Sequence, residues 1–197
     1  MRIGMMGGTF NPPHNGHLHA AQQAVAAMHF DRFLLIPDNM PPHKIMPHGS
    51  ANSEQRLEMT RLMAQDIPTA EVCDMELRRG GTSYTVDTLR EIKAQNPDSE
   101  LFFVIGTDML LSLDRWREPE NICALAGLVV IAREQEDHAA LQQKAAWLKE
   151  KWNADIMIVD CPALTVSSTD VRANRDLCRN MVPEAVFAYI EQQKLYF

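Results

Sequence analysis

The sequence lacks paired cysteines, long apolar runs and a surplus of basic residues, and each absence removes a class of protein. Its four cysteines, Cys73, Cys123, Cys161 and Cys178, stand far apart with no CxxC spacing. That excludes a disulfide frame and a thiolate zinc site, and fits buried packing in a reducing compartment. No apolar run approaches the roughly 18 residues of a membrane helix. The opening Met-Arg-Ile-Gly-Met-Met-Gly-Gly is too short and too glycine-rich for the apolar core of a signal peptide. A formal net charge of −7 speaks against non-specific nucleic-acid binding, which rests on neutralising phosphates. The expectation is a soluble, cytoplasmic protein with neither membrane nor nucleic acid as partner.

What is present is an ordinary globular balance, 46% hydrophobic and 23% charged, so a folded core is expected rather than disorder. The 197 residues suit a single domain spanning 1–197. Charge is unevenly spread. Residues 1–48 carry Arg2, Arg32 and Lys44 against Asp31 and Asp38, together with six of the seven histidines. A small anion would be welcome there while the surface as a whole stays acidic.

Apolar, β-rich runs recur between helical stretches. "RIGMMGG", "RFLLIPD", "AEVCDMEL", "LFFVIG", "GLVVIAR" and "ADIMIVDC" read as strands, and the fourth and fifth lack polar alternation, as strands buried on both faces do. Helices are expected at about 16–28, 53–65 (opened by a capping pattern at Ser53–Arg56), 83–95, 138–151, 169–175 and 183–193. This alternation predicts a doubly wound α/β fold with a parallel sheet and a small helical C-terminal region. Ligands of such folds sit at the carboxyl ends of the strands. There the sequence is unusual four times: "GGTFNPPHNGH", "PDNMPPHK", "GTDML" and "SSTDVR".

The first of these is the most informative. Gly7 and Gly8 permit positive φ and let backbone amides approach a ligand. Thr9 offers a hydroxyl, and Pro12 and Pro13 keep a helix from starting before residue 14. His14 and His17, three apart at a helix start, can project on one side, and Gly16 between them leaves room for a ligand against the backbone. A helix N-terminus is a ready phosphate seat. Neither GxxxxGK[ST] nor GxGxxG is present. Two plainer readings stand beside this one: a glycine turn with surface histidines, and a metal site from His14, His17, His19, His43 and His48, which no carboxylate or cysteine cluster completes.

Gly7-Gly8-Thr9-Phe10-Asn11-Pro12-Pro13-His14-Asn15-Gly16-His17 resembles the GGTFDPxHxGH signature of the HxGH nucleotidyltransferase superfamily. Val166-Ser167-Ser168-Thr169-Asp170-Val171-Arg172 resembles its second signature, ISSTxIR. Read from the residues alone, Ser-Ser-Thr caps a helix and Arg172, one turn on, is a bidentate phosphate donor. Nearly the whole chain is similar to the bacterial nicotinate-nucleotide adenylyltransferases, through "PDNMPPHK", "SYTVDTL", "VIGTDML", "LDRWREPENI", "VVIAR" and "VPEAVFAYIEQQKLY".

The resemblance implies adenylyl transfer from ATP to nicotinate mononucleotide in NAD biosynthesis, by direct in-line attack without a covalent enzyme intermediate. Mg²⁺ would be bound mainly through ATP, with no dedicated metal site. His14, His17 and Arg172 would be catalytic. Gly7, Gly8, Thr9, Phe10, Gly16, Arg133, Ser168 and Thr169 would bind ATP. Lys44, Ser83, Tyr84, Thr85, Gly106, Asp108 and Trp116 would surround the mononucleotide. The SYT turn would offer amides to the nicotinate carboxylate, Trp116 would stack on the pyridine, Gly106 and Asp108 would meet ribose, and Lys44 would reach a phosphate. Plainer roles stay open: Trp116 as packing, Asp108 as a helix cap, Tyr84 and Thr85 as a helix start, Lys44 and Arg133 as surface charges. Asn11 stands where the family usually has Asp, which removes a charge beside the phosphates. Alternatives are a relative preferring the amide mononucleotide or another phosphorylated acceptor, and a non-catalytic nucleotide-binding protein. Oligomeric state is left open.

Overall fold

Strands form where the apolar runs lie, because a strand covered on both faces needs apolar side chains in both alternations. The computed structural model describes residues 1–42, 46–132, 138–162, 164 and 166–196. Its strands are β1 (Arg2–Gly8), β2 (Arg32–Pro37), β3 (Ala70–Val72), β4 (Glu100–Gly106), β5 (Gly127–Ala132) and β6 (Ile156–Asp160). All pair in parallel, in the order β3-β2-β1-β4-β5-β6. The helices are α1 (Asn15–Met28), α2 (Ser53–Ala64), α3 (Met75–Arg79), α4 (Thr85–Gln95), α5 (Thr107–Ser112), α6 (Pro119–Leu125), α7 (His138–Trp152), α8 (Ser168–Ala173), α9 (Arg175–Met181) and α10 (Glu184–Gln193), with a 3-10 turn at Leu113–Arg115. The doubly wound fold expected from the sequence is the fold observed.

Alternate residues of the strands separate into two cores. Ile3, Met5, Leu34, Ile36, Phe103, Ile105, Leu128 and Val130 join Val86, Leu89 and Ile92 of α4, Leu110 of α5, Ile122 of α6, and Leu141 and Leu148 of α7. Phe33, Leu35, Val104, Val129 and Ile131 face the other way, onto Ala21, Ala24 and Met28 of α1, Met59 and Met63 of α2, and the helices that follow β6. The sheet is therefore sandwiched, with its burial supplied in turn from either side.

Three local expectations are corrected. The run "AEVCDMEL" stays extended only to Val72, opposite Leu35 at the end of the shared ladder, and Met75–Arg79 coils into α3. Past that point the good helix formers bond within the chain, Arg78 Nε reaching Asp74 at 2.9 Å. The cap of α2 is Asn52, reciprocally bonded with Gln55, rather than a pattern starting at Ser53. The helix expected over 169–175 breaks at Asn174 into α8 and α9.

The order reverses between β1 and β4, so the connections leave these two neighbours toward opposite edges and open a crevice at their carboxyl ends. A buried ion pair fastens one wall of it. Arg56 of α2, 2% exposed, donates to the Thr9 carbonyl (2.7 Å) and lies 3.4 Å from Asp38, while the Thr9 hydroxyl donates to Asp38 (2.8 Å). Burial lowers the Arg56 pKa and the Asp38 charge opposes that shift. The guanidinium also donates to the Asn39 carbonyl (3.4 Å), as a buried charge needs partners. Arg56→Met is expected to cost about 3–5 kcal/mol, because it removes the buried guanidinium from the Asp38 carboxylate and the Thr9 carbonyl. Urea unfolding checks this, and a loss below about 1 kcal/mol would show that the pair is not structural.

Candidate active site

The turn after β1 ends at a helix start built from its own histidines. His14 is the N-cap of α1: its Nδ1 accepts from the His17 amide (3.4 Å), and His17 Nδ1 accepts from the His14 amide (3.2 Å). This is a capping box in which two imidazoles replace the usual hydroxyl and carboxylate. Because both Nδ1 atoms are acceptors, the proton of each neutral ring is assigned to Nε2. The rings lie 3.7 Å apart between centroids, and Phe10 meets His17 edge-on at 5.1 Å. The expected pairing of the two histidines on one side is thus present, in a more constrained form than spacing alone implied.

The glycines act otherwise than expected. Among the described glycines positive φ occurs at Gly49, Gly80 and Gly81, not at Gly7 or Gly8, and the left-handed residue of this turn is Phe10, at φ 46°. Gly8 gives way to the Phe10 ring, which would lie 3.2 Å from an added Cβ. Gly16 makes room for a side chain: a Cβ there would sit 3.0 Å from His14 Nδ1 and 3.2 Å from Val166.

The second signature docks on the same turn. Arg172 donates to the Asn11 carbonyl and, at 3.2 Å, to the Thr169 hydroxyl, and Ser168 Oγ donates to the Pro12 carbonyl at 2.9 Å. The cap of α8 is Ser167, boxed with Asp170, which leaves Ser168 available for that docking. Asn11, 3% exposed, is the hub. Its Nδ2 donates to Ser50 Oγ (2.8 Å), whose own proton goes to the Pro47 carbonyl (2.7 Å). Its Oδ1 accepts from the Ala51 amide (3.3 Å) and from the Tyr196 hydroxyl (2.9 Å). Burial pushes the Tyr196 phenol pKa up, so it stays a donor. The amide's two ends are both used here, one giving and one taking; a carboxylate could only take.

Across the crevice, Gly106 caps α5 and Asp108 stands exposed in its first turn. No side-chain cap closes α5, so Asp108 is not spent as one. Ser83, Tyr84 and Thr85 are half-buried at the start of α4, which likewise has no side-chain cap. This turn is tied to the end of β2: the Asn39 amide donates to Ser83 Oγ (3.0 Å), Asn39 Nδ2 to the Gly81 carbonyl (2.9 Å), and the Ser83 amide to the Met40 carbonyl (2.9 Å). Beneath it Glu76 is buried, bonded to the Thr88 and Ser83 hydroxyls, and burial raises its carboxyl pKa. Arg117 lies over the Tyr84 ring at 4.5 Å. Trp116 is half-buried after the 3-10 turn, 6.3 Å from Phe103.

Lys44 and Arg133 lie outside the described residues, as does His43. Among the described residues no group of three or more His, Cys, Asp or Glu comes together to hold a metal, and no helix is long and apolar enough to cross a membrane. Asp38, Arg56, Asn39, Glu76 and Tyr196 were not anticipated as parts of the site. Asp38 and Asn39 lie in a strand-end loop that the sequence flagged. Nothing in the sequence marks Arg56 or Glu76 as buried, or joins Tyr196 to Asn11.

The cytidylyltransferase-like family model matches residues 5–174. A protein of Listeria monocytogenes serotype 4a (strain HCC23) named "Probable nicotinate-nucleotide adenylyltransferase" is 34% identical, over 99% of this chain and 97% of its own. One of the same name from Synechococcus sp. (strain JA-3-3Ab) is 38% identical over 99% and 94%. In three dimensions the chain is similar to the nicotinic acid mononucleotide adenylyltransferase of Plasmodium falciparum complexed with NaAD. That likeness has a TM-score of 0.80 at 16% identity and covers 99% of this chain and 97% of that one, which speaks for the fold. With the signatures, the sheet order and the length of these matches in agreement, the chain belongs to the cytidylyltransferase-like family and, within it, to the nicotinate-nucleotide adenylyltransferases.

Proposed function

We propose that the crevice transfers the adenylyl group of ATP to nicotinate mononucleotide, giving nicotinate adenine dinucleotide and pyrophosphate. The observation that carries this reading is the docking of α8 on the Asn11–Pro12 turn, which brings Ser168, Thr169 and Arg172 beside His14 and His17. The names of the Listeria and Synechococcus relatives support the same reaction. The mononucleotide 5′-phosphate is already an anion, so its oxygen attacks the α-phosphorus with no general base. The bond to the bridging oxygen of the β-phosphate breaks and pyrophosphate leaves with that electron pair. Catalysis is then alignment and charge stabilisation.

His14 and His17 present Nε2–H donors to the reacting phosphates from the positive end of α1. Arg172, Ser168 and Thr169 hold the departing side. Gly7, Gly8, Thr9, Phe10 and Gly16 form the ATP-side turn, with Arg133 a further ATP contact. Gly106 and Asp108 take ribose hydroxyls, the uncapped start of α4 at Ser83, Tyr84 and Thr85 takes the nicotinate carboxylate, Trp116 stacks on the pyridine, and Lys44 reaches a phosphate. Mg²⁺ would enter as the magnesium complex of ATP, held on phosphate oxygens. We read residues 1–197 as one such domain, working in the cytoplasm on small anions rather than nucleic acid.

Two outcomes test this. Pyrophosphate release from magnesium ATP should be fast with nicotinate mononucleotide and slow with nicotinamide mononucleotide; equal rates would overturn the carboxylate-reading turn, and no release with either would overturn the reaction. His17→Ala should lower kcat on the order of a hundredfold, as loss of one preorganised donor does. A fall under about threefold in a variant that melts near the parent would remove His17 from the chemistry.

A further inference from the structure

The adenylyl transfer written above gives no task to one buried acid, Glu76 of α3, which is 7% exposed. Thr88 Oγ1 meets its Oε1 at 2.5 Å, and the Ser83 hydroxyl is its second hydrogen-bond partner. The direction of these bonds follows from what else the hydroxyls touch. Ser83 Oγ accepts from the Asn39 amide (3.0 Å), and Thr88 Oγ1 accepts from both terminal nitrogens of Arg79 (3.3 and 3.2 Å). The Tyr84 carbonyl, at 3.5 Å, is a more distant acceptor for Thr88. The single proton of each hydroxyl is therefore assigned to Glu76. Two incoming protons suit a carboxylate, which accepts at both oxygens. A glutamine of the same shape would accept one and aim its own N–H at the other.

The two partners bracket the first turn of α4, Ser83 just before it and Thr88 within it. The chain entering this turn brings little support of its own. Gly80 and Gly81 lie at φ 68° and 66°, and nothing is within 4 Å of a Cβ added at either. From the end of β2, Asn39 and Met40 hold Gly81 and Ser83 on one side. Glu76 holds the turn from α3. Such fixing decides what the helix start can tell apart. A carboxylate presents acceptors only, whereas a carboxamide presents one acceptor and an NH₂ donor. Backbone N–H groups fixed side by side accept the first and oppose the second. On a turn free to swing, that opposition is lost.

We propose that Glu76 is a positioning residue for acid-over-amide preference: by taking the protons of Ser83 and Thr88 it holds the first amides of α4 in one place. The inference rests on the reading of this helix start as the nicotinate carboxylate site. Two plainer roles make different demands. An acid needed only for folding would change stability and leave the preference between mononucleotides alone. An acid acting only through its charge would repel the bound carboxylate, so its removal would tighten nicotinate mononucleotide.

Steady-state kinetics with magnesium ATP and each mononucleotide in turn separate these roles. Glu76→Gln is expected to raise the KM for nicotinate mononucleotide about tenfold, with the KM for ATP and for nicotinamide mononucleotide within about twofold of the parent. The acid-to-amide ratio of kcat/KM then falls about tenfold. Thr88→Val keeps the charge and the volume, and should lower the same ratio about threefold. It also carries the test should Glu76→Gln fail to fold. A tighter KM for the acid in Glu76→Gln, or an equal rise for both mononucleotides, would overturn the positioning role. So would a ratio within about twofold of the parent in every variant that folds. A parent with no preference for the acid would instead overturn the carboxylate-reading helix start itself.

Discussion

Two backbone carbonyls, those of Asn11 and Pro12, are what the rest of the site hangs on. The glycine and proline turn cannot continue β1 and cannot start a helix before its histidines, so its carbonyls are left needing donors. Helix α8 supplies them from the far end of the chain, through Arg172 and Ser168. Once those bonds form, two signatures more than 150 residues apart share one frame. The ion pair of Arg56 and Asp38 steadies Thr9, two residues before Asn11, from the other side.

Around that frame the side chains are arranged so that few of them are free to choose. Each histidine caps the other's amide, which sets both tautomers, and Gly16 is small because the His14 ring lies against it. Donors held in this way need no reorganisation when charge shifts during phosphoryl transfer. Across the crevice, Asn39 ties the start of α4 to the end of β2, and the buried Glu76 supports it from below. Both binding walls are therefore extensions of strand ends.

Much of this was legible in the sequence. "LFFVIG" and "GLVVIAR" announced strands covered on both faces, and the placing of "GGTFNPPHNGH", "GTDML" and "SSTDVR" after strands announced a crevice. Ambiguity remained where short segments are decided by their neighbours. Residues 75–79 coil after the chain leaves β2 at Val72, two residues before β2 itself ends, and a sequence window does not contain that fact. The positive φ expected at Gly7 and Gly8 falls instead on Phe10, and that the His14 ring lies against Gly16 is set by a fold no window contains. The bond from Tyr196 to Asn11 spans 185 residues, and no local pattern encodes it.

The neutral amide at Asn11 also has a chemical lifetime to consider. An asparagine ages into aspartate when the backbone nitrogen of the next residue loses its proton and closes a succinimide ring on the side-chain carbonyl. Here the next residue is Pro12, whose nitrogen carries no hydrogen to lose. The usual route of deamidation is closed at the one position where it would place a carboxylate among Ser50, Ala51 and Tyr196. The amide at this hub is thereby shielded from slow conversion into a carboxylate.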